Sequence, residues 1–184
     1  MKEMSPVKRT VLAAMMVALC VVLPMAFHAV PDGGSVFLPM HIPVLVCGMI
    51  CGWPYGFLCG LLGPLLSCLT TGMPPLAFLP SMMVECAVYG LVTGLMLKFV
   101  RTGRLYADLY GALIVAMIAG RVVSGVAKAL IFSPGITMKY WIMASFVTAL
   151  PGILIQLIAV PLLVGMLIKI RYLPARYPKA VAHE

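Results

Sequence analysis

The chain has 184 residues, of which 63% are hydrophobic and 10% charged, and its mean hydropathy is +1.11. A soluble domain of this size has too little interior to bury so much apolar surface, so these values exclude an ordinary soluble fold and predict an integral membrane protein. The net charge of +8 does not indicate a nucleic-acid partner, because the basic residues are scattered at the boundaries of apolar runs and are not gathered in one groove.

Six apolar runs are long enough to cross a lipid bilayer as helices. The predicted spans are residues 10–27, 37–52, 55–71, 76–97, 109–132 and 140–168. The second and third spans are divided at Gly52-Trp53-Pro54-Tyr55, because proline fits the first turn of a helix but not its middle. The sequence therefore predicts an all-α integral membrane protein, with residues 1–184 forming a single domain of six transmembrane helices.

The basic residues predict the orientation of these spans, because lysine and arginine concentrate in short cytoplasmic segments. If the N-terminus is cytoplasmic, Lys139 is the only basic residue at a span boundary that falls outside. The boundary residues that fall inside are Lys2, Lys8, Arg9, Lys98, Arg101, Arg104, Lys169, Arg171, Arg176 and Lys179. Merging the second and third spans would place the cluster around Arg101 outside, so we predict six spans with both termini cytoplasmic.

Three ionisable side chains, Glu85, Arg121 and Lys128, lie inside the apolar runs. Such residues are costly in a bilayer and mark candidate functional sites. A helical rise of about 1.5 Å per residue puts Glu85 and Arg121 at similar depths and Lys128 nearer the outer surface. Glu85 and Arg121 either form a structural ion pair or contact a ligand. Lys128 either extends to the outer interface or contacts the ligand.

Polar residues spaced three or four positions apart share one face of a helix. The fourth, fifth and sixth spans each carry such a stripe: Ser81, Glu85 and Tyr89; Arg121, Ser124 and Lys128; and Ser145, Thr148, Gly152 and Gln156. These stripes predict a pocket that opens toward the outer face and is filled by water or ligand. His41, at the outer end of the second span, is a further candidate contact. Gln156 lies deep enough to favour a hydrogen bond between helices.

Charge counting favours an anionic ligand. If Glu85 neutralises Arg121, Lys128 leaves one positive charge uncompensated near the pocket, and a small anion would balance it. The same argument fails if Lys128 reaches bulk water.

The sequence lacks the motifs of the common catalytic sites. It has no Gly-x-x-x-x-Gly-Lys-[Ser/Thr], no His-Glu-x-x-His and no Gly-x-Ser-x-Gly. The six cysteines lie within the predicted spans without a Cys-x-x-Cys pair and are interpreted as packing residues. We therefore expect no catalytic residues, no metal site and no nucleotide site in this chain.

Several short motifs distributed along the chain resemble one family of membrane proteins. They are Phe37-Leu-Pro-Met-His41-Ile-Pro-Val, Gly52-Trp-Pro-Tyr-Gly56, Pro64-Leu-Leu-Ser67, Thr71-Gly-Met-Pro-Pro75, Glu85 to Gly94 and Ala119-Gly-Arg121-Val-Val. With the size of the chain and its six predicted spans, they are similar to the substrate-binding S components of energy-coupling-factor (ECF) vitamin transporters.

This resemblance implies a prokaryotic plasma-membrane protein that binds a vitamin near the outer face. The substrate-binding candidates are His41, Glu85, Tyr89, Arg121, Ser124, Lys128, Ser145 and Thr148. The resemblance also implies a transmembrane scaffold protein and two cytoplasmic ATPases as partners, so ATP would be used by the partners and this chain would bind no cofactor. Ala14 and Ala18 stand where S components carry a small-residue motif that packs on the scaffold. The implied transport mechanism is toppling of the whole S component within the membrane.

The substrate is less well defined than the family. The sequence looks closest to the branch that includes pantothenate and hydroxymethylpyrimidine transporters, and the spare positive charge favours pantothenate, with hydroxymethylpyrimidine or another vitamin as the alternative. Two other classes of function stay open. One is a self-sufficient secondary transporter that uses Glu85 for proton coupling; the other is a structural subunit in which Glu85 and Arg121 serve packing alone.

Overall fold

The computed structural model describes residues 4–26, 36–132, 138–170 and 173, and within these ranges the chain contains helices and no strand. The helices are α1 (Pro6–Ala26), α2 (His41–Cys51), α3 (Trp53–Thr71), α4 (Leu79–Phe99), α5 (Leu105–Ala127), α6 (Met138–Ile142) and α7 (Leu150–Lys169). π-helical turns continue α5 over Lys128–Phe132 and α6 over Met143–Thr148. The predicted all-α class is confirmed for the described residues.

Five helical segments are long and apolar enough to cross a membrane: α1, α3, α4, α5 with the start of its π-helical continuation, and α7. α2 is equally apolar but has 11 residues, a length of about 16 Å. It is shorter than the predicted span 37–52, because Leu38 takes a positive φ of 51° and the helix begins only at His41. The structure therefore does not confirm the six complete membrane crossings or the cytoplasmic termini, and both stay predictions.

The boundary between α2 and α3 lies at the predicted Gly52-Trp53-Pro54-Tyr55 sequence. Gly52 adopts φ 95° and ψ 171°, a conformation that residues with a side chain rarely take. Pro54 then occupies the first turn of α3, where its missing N–H costs nothing. The chain can therefore leave one helix and enter the next within two residues.

α4 lies at the centre of the bundle and packs against α2, α3 and α5. Its contact with α3 depends on glycine, because a Cβ on Gly56 or Gly90 would collide with the backbone of the other residue. All six cysteines are free and buried, and five of them belong to the main hydrophobic core: Cys20, Cys47, Cys51, Cys59 and Cys86. The small side chains thus let α1 to α4 approach closely.

α1 presents two different faces. Leu12 and Cys20 are buried against the bundle. Ala14 and Ala18 lie on the exposed side of the helix, together with large apolar side chains such as Met15. This side is therefore open to lipid or to a partner protein.

Candidate functional site

The Glu85 carboxylate on α4 is the centre of a polar cluster between α4 and α5. Tyr89 Oη, one turn further along α4, donates a hydrogen bond of 2.9 Å to Glu85 Oε1. Ser124 Oγ on α5 donates one of 3.2 Å to Glu85 Oε2. Each carboxylate oxygen thus has a neutral donor, and two of the predicted polar stripes meet at this point. The side chain of Glu85 is still 15% exposed, so the carboxylate is not sealed off.

His41 completes this cluster from a third helix. It is the first residue of α2, and its side chain is 1% exposed. Its Nε2 lies 3.9 Å from Glu85 Oε1, and its ring centroid lies 5.3 Å from that of Tyr89 at an interplanar angle of 57°. The cluster therefore joins α2, α4 and α5, and includes four of the predicted ligand contacts: His41, Glu85, Tyr89 and Ser124.

Arg121 lies one turn before Ser124 on α5 and is only 3% exposed. Within the part of the chain that the structure describes, its Nε and Nη2 atoms are buried without a hydrogen-bond partner. These two nitrogens form one side of the guanidinium fork, whose parallel N–H groups match the two oxygens of a carboxylate. Buried N–H groups without an acceptor cost free energy, so these two nitrogens are candidates to bind an anionic group.

The sequence left open whether Glu85 and Arg121 form an ion pair or contact a ligand, and the structure does not join them as an ion pair. Both residues are described, yet no salt bridge or hydrogen bond joins them in the described structure. Lys128 is half-buried at the start of the π-helical turn that follows α5. The site therefore contains one carboxylate and two cations that are not paired with it directly.

The third predicted stripe is not formed as one helical face. Ser145 is half-buried and Thr148 exposed, both within the π-helical segment Met143–Thr148. The helix restarts at Leu150 because Pro151 has no backbone N–H to continue the preceding turn. Ser145 and Thr148 therefore do not share an α-helical face with Gln156, and among the described residues no hydrogen bond links either of them to the Glu85 cluster.

Two aromatic residues near this site, Phe146 and Trp141, were not among the residues that the sequence predicted. The Phe146 ring centroid lies 5.5 Å from the guanidinium carbon of Arg121, a cation–π arrangement. Trp141 packs on the Cα of Gly125, which has no side chain, and its ring makes an edge contact with Phe146 at a centroid distance of 5.8 Å. These contacts bring the α6 segment against α5 beside Arg121. Gly125, between Arg121 and Lys128, permits this close approach because a Cβ there would collide with the Trp141 ring.

Gln156 on α7 is fully buried, and both its amide nitrogen and its amide oxygen have no partner within the described ranges. The predicted hydrogen bond to another helix is therefore not seen there. Buried amides are nearly always hydrogen-bonded in proteins, so Gln156 is a second unsatisfied group in the interior. No group of three or more His, Cys, Asp or Glu side chains is placed to hold a metal ion in the described residues.

A family model described as "ECF transporter, substrate-specific component" matches residues 8–164. This match covers most of the 184 residues. The chain belongs to this family. It is therefore an S component, a multi-pass membrane protein that provides the substrate-specific subunit of a transporter and is not an enzyme. No curated protein and no solved structure matches the chain.

Membership in the family implies a scaffold protein, ATPases and a small-molecule substrate as partners of this S component. It does not name the substrate. The polar cluster around Glu85 and the unsatisfied Arg121 are the features of the chain that bear on that question.

Proposed function

We propose that this S component captures pantothenate, a small carboxylate, near the outer face of the membrane for ATP-driven uptake. The observation that carries the proposal is the Arg121 fork, with Nε and Nη2 buried and unpaired among the described residues. A carboxylate ligand would accept both N–H groups in the bidentate geometry that arginine prefers. No neutral ligand satisfies a buried guanidinium as well.

The charge balance of the site supports the same conclusion. The Glu85 oxygens accept hydrogen bonds from the neutral hydroxyls of Tyr89 and Ser124. Arg121 is buried and Lys128 half-buried, and neither forms an ion pair with Glu85. One carboxylate thus faces two cations, and one anionic ligand would bring the sum to zero. Buried charges are normally compensated in this way.

Hydroxymethylpyrimidine, the alternative substrate of the same branch, fits the site less well. It carries no carboxylate for Arg121 and would have to use Glu85 as its main acceptor. Each oxygen of Glu85 already accepts one hydrogen bond, so a donor of the pyrimidine would have to share these oxygens, and Arg121 would stay without an anion. The geometry thus favours an anionic substrate.

The remaining parts of the uptake system are proposed from the family. A transmembrane scaffold and two cytoplasmic ATPases would bind this S component and use ATP, while the chain itself binds no cofactor. Ala14 and Ala18 are exposed on α1, where close contact with the scaffold would need small side chains. The predicted topology of six spans would place both termini in the cytoplasm.

The direct test of the carboxylate contact compares two ligands on two forms of the protein. Pantothenol has a CH₂OH group where pantothenate has its carboxylate, and Arg121→Lys keeps the positive charge but removes the fork. We expect the wild-type chain in detergent to bind pantothenate about 100-fold more tightly than pantothenol, as the loss of two charge-assisted hydrogen bonds predicts. Arg121→Lys should lose most of this discrimination, as measured by isothermal titration calorimetry.

Arg104→Lys provides the matched control, because Arg104 is exposed in the loop before α5. It should keep both affinities. Equal binding of the two ligands by the wild type, or full discrimination in Arg121→Lys, would overturn the proposed role of Arg121.

A further inference from the structure

A cavity of about 450 Å³ lies at the end of the bundle where α4 ends and α5 begins. It is bounded by the start of α1, by the junction between α2 and α3, and by the last part of α7. None of the residues of the Glu85 cluster lines it. It is therefore a site distinct from the one that faces the substrate.

Among the residues that the structure describes, the charged ones that line this cavity are all basic. They come from three different parts of the fold: Arg9 from α1, Lys98 from the last turn of α4, and Arg101 from the loop that follows. No aspartate or glutamate of the described ranges is among its lining residues. A concave surface with one sign of charge concentrates ligands of the opposite sign.

The beginning of α3 adds to this positive potential. Gly52 and Trp53 form part of the cavity wall, and α3 has neither a side-chain cap nor an acidic residue in its first turn. The N-terminal end of a helix carries a partial positive charge and favours an anion. Here it stands beside three cationic side chains, so the anion preference does not depend on the helix end alone.

The rest of the wall is apolar. Leucine, isoleucine and valine side chains from α5 and α7 complete it, including Leu105, Leu109 and Ile168. A small hydrophilic anion would leave this surface without a partner. A ligand with an anionic head and an apolar body matches both parts of the cavity.

We propose that this cavity binds the phosphate headgroup of an anionic phospholipid from the cytoplasmic leaflet. Lys98 and Arg101 contact the phosphate, and the apolar wall takes the glycerol and the first part of an acyl chain. We assign the lipid to the cytoplasmic leaflet because the predicted topology places Lys98, Arg101 and Arg104 on the cytoplasmic side. Juxtamembrane lysines and arginines are attracted to anionic lipids at that surface. A bound headgroup would hold together the beginning of α1, the beginning of α3 and the last turn of α4.

The test is the thermal stability of the full chain in detergent after addition of phosphatidylglycerol or phosphatidylcholine. Phosphatidylglycerol should raise the unfolding temperature of the wild type in a saturable way, and phosphatidylcholine should not. Arg101→Gln, and more strongly Lys98→Gln combined with Arg101→Gln, should lose at least half of that shift. Arg104→Gln makes the same charge change three residues from Arg101 but lies outside the cavity lining, so it should keep the full shift.

The same measurement of unfolding temperature with inorganic phosphate, and with glycerol 3-phosphate, distinguishes a lipid from a soluble phosphate. If either soluble anion gives the same saturable stabilisation, the lipid assignment is wrong. Equal stabilisation of Arg101→Gln, Arg104→Gln and the wild type would also overturn the proposal. Pantothenate binding by these variants should equal that of the wild type, so a failure here is separable from a failure of the substrate proposal.

Discussion

At the scale of single residues, the Glu85 carboxylate determines how the candidate substrate site is arranged. It accepts one hydrogen bond from its own helix and one from α5, and it faces His41 at the start of α2. A carboxylate in a bilayer needs such donors, because water is not there to replace them. The cluster therefore fixes the relative positions of the helices that surround the proposed ligand.

Tyr89→Phe should weaken this arrangement without removing the aromatic ring. Tyr89 is fully buried and donates to a charged acceptor, a hydrogen bond worth about 1.5–3 kcal/mol. We expect a lower unfolding temperature in detergent and weaker substrate binding. Tyr110→Phe is the matched control, since Tyr110 is 42% exposed on α5 and should be replaced at little cost. Equal stability of the two variants would show that the Glu85 contact contributes nothing measurable.

At the scale of helices, the sequence predicted the long regular elements better than the short or irregular ones. The third predicted span, 55–71, agrees closely with α3, Trp53–Thr71, because Gly52 and Pro54 mark its start and Gly72 caps its end. The π-helical segment Met143–Thr148 was not predicted, since apolar composition does not distinguish α from π turns. The predicted stripe through Ser145 and Thr148 failed for that reason.

The contact between α3 and α4 gives a prediction for the element scale. A Cβ on Gly90 would collide with the Gly56 carbonyl, so Gly90→Ala should force the two helices apart and reduce the yield of folded protein. Gly111→Ala is its control, because nothing lies within 4 Å of a Cβ built there. The control should be neutral or stabilising by about 1 kcal/mol, as alanine is the better helix former. Size-exclusion profiles and unfolding temperatures in detergent measure both variants, and a well-folded Gly90→Ala would contradict this packing.

At the scale of the whole molecule, the bundle has two chemically different ends. Glu85, Arg121 and Lys128 lie toward one end, and the basic cavity with Lys98 and Arg101 lies at the other. Composition and charge distribution predicted the membrane class and four residues that the structure brings together in one polar cluster: His41, Glu85, Tyr89 and Ser124. They could not predict that Nε and Nη2 of Arg121 have no acceptor within the described ranges, since that depends on how Phe146 and α5 pack in three dimensions.

The orientation of the two ends can be tested with a membrane-impermeant maleimide on intact cells and on inside-out vesicles. The six native cysteines are buried, so the wild type provides a blank. Arg104→Cys, in the loop before α5, should react only in inside-out vesicles. Leu76→Cys, 75% exposed between α3 and α4, should react only from outside. The reverse pattern would refute cytoplasmic termini, and labelling of both from one side would refute a single crossing by α4.

The most direct test of the central claim is calorimetric titration of this chain, purified alone in detergent, with pantothenate and with a panel of other vitamins and precursors that includes hydroxymethylpyrimidine. We expect saturable binding of one pantothenate per chain in the nanomolar range and no comparable binding of the neutral compounds. Tight binding of a neutral member of the panel without pantothenate binding would contradict the proposed substrate. No binding across the panel would contradict ligand capture by this chain on its own.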